Sequence, residues 1–132
     1  VMSFTRSLNC HLHSRRTACW ATPKEDGGRQ KARIVIRYCT GCNWMLRSTY
    51  LASELLTTFK NELASSQSEI ALQPLSEPAG VFQVLLNEEK IWDRTDVDEN
   101  GVRVGFPDVK ILKQLVRDRL VPDKSLGHSD KQ

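Results

Sequence analysis

Cys39-Thr40-Gly41-Cys42 stands directly after the apolar run Arg33-Ile34-Val35-Ile36-Arg37-Tyr38 and directly before a helix-forming stretch that starts near Asn43. A chain with this order must turn from a buried strand into a helix around two thiols. Sulfurs at this spacing can close and open a small disulfide ring. A helix N-terminus there offers unpaired N–H groups and a positive dipole end, which lower thiol pKa and raise the thiolate fraction. Thiolate is the species that attacks disulfides and peroxides. The setting therefore points to redox chemistry rather than to packing.

Periodicity places the other elements around this turn. Arg33–Tyr38, β-branched and apolar in its middle, reads as a central strand buried on both faces. From Asn43 to about Ala64, Leu46, Tyr50, Leu51, Leu55, Phe59 and Leu63 recur at helical spacing, which predicts one amphipathic helix ending at Ser65-Ser66. Glu69–Leu75 alternates as a second strand, parallel to the first because a helix joins them. Pro78-Ala79-Gly80 punctuates the chain before the strand Val81–Leu86, and a turn at Asn87-Glu88-Glu89 returns Lys90–Asp93 as its antiparallel partner. Pro107 and Asp108 open a last helix whose stripe of Val109, Leu112, Leu115, Val116 and Leu120 stops at Pro122. The fold class is α/β in the α+β sense: β-α-β-β-β-α, with two helices packed on a four-stranded mixed sheet.

With 132 residues the chain holds one domain, at residues 32–122, between a basic arm that is disordered or a targeting segment (1–31) and a disordered tail (123–132). The arm carries six Lys/Arg against Glu25 and Asp26, a net of +4, whereas the whole chain is +3. The remainder thus has a net charge of −1 and no excess to attract nucleic acid. No apolar run reaches the roughly 18 residues of a membrane helix. Four cysteines are too few for a disulfide-stapled secreted scaffold, so a reducing compartment is expected. Cytoplasmic localisation follows. The alternative is mitochondrial, with the basic, Ser/Thr-rich arm as a transit peptide absent from the mature protein.

Two rival sites fail on spacing. A zinc knuckle built on Cys39 and Cys42 would need Cys10, Cys19, His11 or His13 from the arm, and there is no second C-x-x-C. Asp96-Val97-Asp98-Glu99-Asn100-Gly101 matches the opening of a calcium loop, yet its twelfth position is Pro107 where a bidentate Glu is required. His128 lies in the tail. No cofactor is expected.

The order of elements, with C-x-x-C at the end of the first strand, is that of a pared-down thioredoxin-like fold. Ile34 to Cys42, Gly80-Val81-Phe82-Gln83-Val84 and Gly105-Phe106-Pro107 together resemble the selenoprotein W-like Rdx family, over about residues 33–122. The resemblance implies a thiol–disulfide oxidoreductase in cell redox homeostasis, glutathione- or thioredoxin-linked, with Cys39 and Cys42 catalytic. It implies protein or glutathione disulfides and thiols as partners. Cys42 occupies the position of the family's selenocysteine, which leaves a plain dithiol here and favours Cys42 as the attacking atom. General thioredoxin logic favours instead an exposed Cys39, with Cys42 one helical turn in and more buried as the resolving thiol, and on exposure grounds Cys39 is the expected nucleophile. Arg37 and Arg47 would add positive potential if turned towards the sulfurs, with plain solvated arginines as the alternative. Trp44 and Phe106 are candidates to line the site, with core packing as the alternative. Pro78 is expected as an ordinary trans turn proline. The competing function is a non-catalytic redox-sensing adaptor, whose dithiol state changes a binding surface around Trp44 and Phe106.

Overall fold

The structure, a computed structural model, describes residues 30–131. The basic arm, with Cys10, Cys19, His11 and His13, lies outside the described residues save Gln30 and Lys31. The elements run β1 (Arg33–Cys39), α1 (Met45–Thr58), α2 (Lys60–Ser65), β2 (Glu69–Leu75), β3 (Phe82–Leu86), β4 (Glu89–Asp93) and α3 (Val109–Leu120). The sheet order is β2-β1-β3-β4, with β1 and β2 parallel and the other pairs antiparallel. The mixed four-stranded sheet and its connectivity are those expected from the sequence.

β1 is central but not buried on both faces. Ile34, Ile36 and Tyr38 point into the core, whereas Val35 and Arg37 are half-buried on the other side. The helices lie on one face, where Leu51, Leu55, Phe59, Leu112 and Val116 join the strand residues in a single cluster. The opposite face is a shallow concavity of about 600 Å³ lined by Arg33, Val35, Arg37, Ala71, Leu72 and Leu85.

The single long helix of the sequence reading is two. Phe59 leaves helical geometry at φ −108°, although its amide still donates to the Leu55 carbonyl at 2.9 Å. The hydroxyls of Thr49, Ser53 and Thr57 each donate to the carbonyl four residues back, a pattern that bends helices just ahead of this point. The buried stripe is also rotated from the expected one. It runs Ser48, Leu51, Ala52, Leu55, Phe59 and Leu63, while Leu46 and Tyr50 are 74% and 55% exposed. Ser48 sits inside because its hydroxyl donates to the Trp44 carbonyl at 3.0 Å, which satisfies it without solvent.

The β3–β4 hairpin closes on two residues, Asn87 and Glu88, both at positive φ, the twist that a tight hairpin demands. Its far end is held by Asp93, a buried carboxylate that accepts from Gln83 at 2.8 Å, Lys90 at 3.2 Å and both the amide and hydroxyl of Thr95. The segment 123–131, expected as a disordered tail, returns along α3. Leu126 packs on the core, Arg117 pairs with Asp130, and Lys124 bonds Glu62 at 2.6 Å. These polar anchors carry no periodic signal, which is why the sequence hid them.

Phe59→Ala should destabilise the fold by about 3–5 kcal/mol, because it empties a fully buried site, whereas Leu46→Ser should stay within about 0.5 kcal/mol. Urea unfolding of both variants checks the rotated stripe. Burial raises the Asp93 pKa, but the Thr95, Gln83 and Lys90 hydrogen bonds outweigh it and hold the carboxyl well below the usual range. A depressed folded-state pKa gives stability that is present above the unfolded value, about 3.9, and is lost as pH falls below it. Unfolding midpoints should therefore drop between about pH 4 and 2, and less steeply in Asp93→Asn, which removes the titrating group.

Candidate active site

The dithiol is positioned by how β1 ends. The Cys39 amide donates to the Val81 carbonyl at 2.9 Å, and the Thr40 amide donates to the Leu75 carbonyl at 2.9 Å. The turn is thereby fastened to the segments on both sides of the strand. Thr40 adds its hydroxyl to the same Leu75 carbonyl, and the Asn43 amide closes back on the Thr40 carbonyl at 3.1 Å. Asn43 takes φ +57°, a conformation that its short polar side chain tolerates. Helix α1 begins only after Trp44, so Cys42 lies in the turn ahead of the helix rather than one turn inside it.

That placement reverses the expected exposure of the two sulfurs. Cys39 is 1% exposed, shut between the strand neighbours, and Cys42 is half-buried; both are free thiols. The Cys39 pKa is lowered, first because the Cys42 S–H donates to its sulfur, and then because the Gly80 amide does. Burial opposes this, and the Cys42 and Gly41 amides reinforce it. The Cys42 pKa is raised by the same sulfur–sulfur hydrogen bond and by desolvation, and is drawn back by the Gly80 amide and the charge of Arg94. Acidification thus comes chiefly from local donors around a shared proton.

The Gly80 amide reaches both sulfurs from the loop before β3. The Glu77–Pro78 bond in that loop is cis, where the sequence reading expected trans. Gly80 itself takes φ +80°, and a Cβ there would stand 3.2 Å from Arg94 Nη2. Arg94 Nε donates to the Gly80 carbonyl at 3.2 Å, and its guanidinium lies 4.9 Å from the Trp44 ring. Neither Gly80 nor Arg94 was expected at the sulfurs. Gly80 was visible as turn punctuation and at the head of the Gly80–Val84 stretch that resembles the family, and an arginine just past a strand has no local mark of what it faces.

An aromatic cluster adjoins the turn. Trp44 meets Phe106 edge to face with centroids 4.9 Å apart, and Phe82 meets Phe106 at 5.1 Å. Phe106 is brought there by Gly105, whose carbonyl accepts from Trp92 Nε1 at 2.9 Å and whose amide donates to the Arg94 carbonyl. Arg47 stacks 4.0 Å above the Phe106 ring. Arg37 does not join the site: its guanidinium is bonded to Gln73 at 2.8 Å on the open sheet face. Asp98 spends its carboxylate on the Asn100 and Val102 amides of its own turn. Among the described residues no group of three or more His, Cys, Asp or Glu could hold a metal ion, and no helix is long and apolar enough to cross a membrane.

The model of the Rdx family matches residues 33–118. This chain belongs to the Rdx family. The crystal structure of a Bordetella parapertussis protein is similar, at 43% identity and a TM-score of 0.55 over 69% of this chain and all of that one. A selenoprotein W-related protein from Vibrio cholerae is similar at 44% identity and a TM-score of 0.53, over 67% of this chain and 96% of that chain. No match was found among curated proteins. The fold is accordingly the selenoprotein W-like, thioredoxin-like one, and the Rdx assignment carries a general association with redox chemistry.

The shared proton gives this Rdx dithiol a titration with a definite sign. In Cys42→Ala the Cys39 thiol loses its leading donor, so its pKa should rise from the native value. In Cys39→Ala the Cys42 thiol loses both the hydrogen bond and the charge that raise it, so its pKa should fall. Thiolate absorbance followed against pH in the two variants reads both shifts.

Proposed function

We propose that the protein is a thiol–disulfide oxidoreductase that cycles Cys39 and Cys42 between dithiol and disulfide. The observation that carries this reading is the pair itself: two free sulfurs at C-x-x-C spacing where the central strand ends, one buried and one half-buried. Two such sulfurs can bond to each other with the loss of two electrons and two protons.

Acidity and access point to different sulfurs. The lowered pKa favours charge on Cys39, but a sulfur 1% exposed offers no path to a disulfide substrate. Access decides, because the proton between the sulfurs can pass to Cys39 as substrate approaches. Cys42 attacks one substrate sulfur, forming the mixed disulfide as the substrate S–S bond breaks. The departing thiolate takes the proton from Cys39. Cys39 thiolate then attacks Cys42 Sγ, closing the internal disulfide and expelling the second substrate thiolate. Two electrons have passed from the dithiol to the substrate. A glutathione- or thioredoxin-class reductant returns them.

The burial of Cys39 also supports a second reading, a non-catalytic redox-sensing adaptor in which a slow change of dithiol state alters the surface around Trp44 and Phe106. Turnover separates the two. An oxidoreductase reduces a disulfide repeatedly when supplied with reductant, and a sensor changes state once.

In graded glutathione buffers the pair should behave as a reversible two-electron couple between about −270 and −200 mV, the span of thioredoxin and glutaredoxins. Cys39→Ser should accumulate a mixed disulfide at Cys42, and Cys42→Ser should capture none, as read by alkylation and mass. The opposite trapping pattern would hand the attack to Cys39. A pair that never oxidises removes the exchange reading altogether.

A further inference from the structure

Two cations converge on the aromatic cluster beside the dithiol. Arg47 lies 4.0 Å above the Phe106 ring, and Arg94 lies 5.8 Å from the same ring and 4.9 Å from Trp44. Neither belongs to the ion pairs formed among the described residues. Nearby carboxylates are committed elsewhere: Asp93 to Gln83, Lys90 and Thr95, Asp96 to Lys90, and Asp108 to the Lys110 amide as the cap of α3. Glu77, exposed in the loop before Pro78, pairs with neither arginine. Stacking on a ring occupies the face of a guanidinium and leaves its in-plane N–H groups for an oxyanion. Among the described residues Arg94 hydrogen-bonds through Nε alone, to the Gly80 carbonyl.

We propose that Arg47 and Arg94 select disulfide partners that carry a carboxylate close to the reacting sulfur. The proposal rests on the exchange reading of Cys39 and Cys42 and adds a substrate class to it. The sign of the charge is the argument. The species that attacks a disulfide is the thiolate, which is anionic and by itself repels anionic disulfides. Two guanidiniums beside it reverse that repulsion, and the apolar rings under them strengthen the field. A carboxylate forked by either arginine would hold the neighbouring S–S bond at the turn.

The test uses the full chain and measures the rate at which its dithiol is oxidised by dithiodipropionate (anionic), hydroxyethyl disulfide (neutral) and cystamine (cationic). At low salt the anionic disulfide should react about ten-fold faster than the neutral one, the scale of electrostatic steering, and cystamine slowest. The order should collapse towards equality at about 1 M salt, where screening reaches within about 3 Å, and in Arg47→Gln/Arg94→Gln. Arg47→Lys/Arg94→Lys should keep part of it. Ratios between substrates cancel any change in thiol acidity, which would move all three rates together. Identical ratios in the native and double-Gln proteins overturn the proposal. A companion measurement compares alkylation by iodoacetate and iodoacetamide, each relative to N-acetylcysteine. If no disulfide reacts, the exchange reading fails, and alkylation still decides the arginines. A preference for the anionic reagent lost in the double-Gln protein supports them; an unchanged preference overturns them.

Discussion

Two backbone hydrogen bonds organise this molecule's chemistry: Cys39 N–H to the Val81 carbonyl, and Thr40 N–H to the Leu75 carbonyl. They are the last links of a central strand to its neighbours on either side. Because β1 sits between β2 and β3, its final residue is enclosed by both. Cys39 is 1% exposed there, unlike Val35 and Arg37 further back on the same strand. The next residues have no strand to join and form the turn, which lifts Cys42 to half exposure. The asymmetry between the sulfurs thus follows the point where the strand gives way to the turn, and it precedes any tuning by neighbouring groups.

Burial alone would raise the Cys39 pKa, since a thiolate loses its hydration in the interior. The structure answers with donors at close range: the Cys42 S–H and the Gly80, Cys42 and Gly41 amides. This differs from the helix-dipole account suggested by the sequence. Helix α1 starts after Trp44, has no side-chain N-cap and carries no acidic residue in its first turn. A cradle of amides on a turn acts as an anion-binding concavity without needing the helix axis to point at the sulfur. Its cost is geometric. Gly80 must approach closely at φ +80° with Arg94 3.2 Å from the place of a Cβ, so the cradle depends on a residue without a side chain.

Strands and their order were legible because β-branched runs separated by Gly and Pro carry a strong local signal, and Glu69–Leu75 appears with the bounds the alternation implied. The helix face was not. Large apolar residues at helical spacing pointed to Leu46 and Tyr50, yet the core side is completed by Ser48 and Ala52, small residues whose value lies in close approach. Size and hydrophobicity cannot reveal such positions. Cys39 and Cys42 were readable from spacing, and Trp44 and Phe106 from proximity in the chain or a glycine-rich lead. Arg94 and Gly80 were hidden, because their roles arise from contacts between chain segments that only the sheet brings together. Arg37 was open to two readings, an added positive charge at the sulfurs or a solvated side chain, and its hydrogen bond to Gln73 on the open sheet face bears out the second.

The aromatic cluster shows how packing and charge coexist at this end of the sheet. Trp44, Phe82 and Phe106 come from the start of α1, from β3 and from the loop before α3, so the cluster ties three distant segments together. Edge-to-face contacts, at interplanar angles of 74° to 88°, fill the core side while leaving ring faces open. Arg47 and Arg94 lie over those faces, where the quadrupole is negative. Parallel stacking would have covered the faces and left no place for either guanidinium. The orientation of the rings, fixed by packing, is therefore what allows positive charge to gather beside the dithiol without an acidic partner among the described residues.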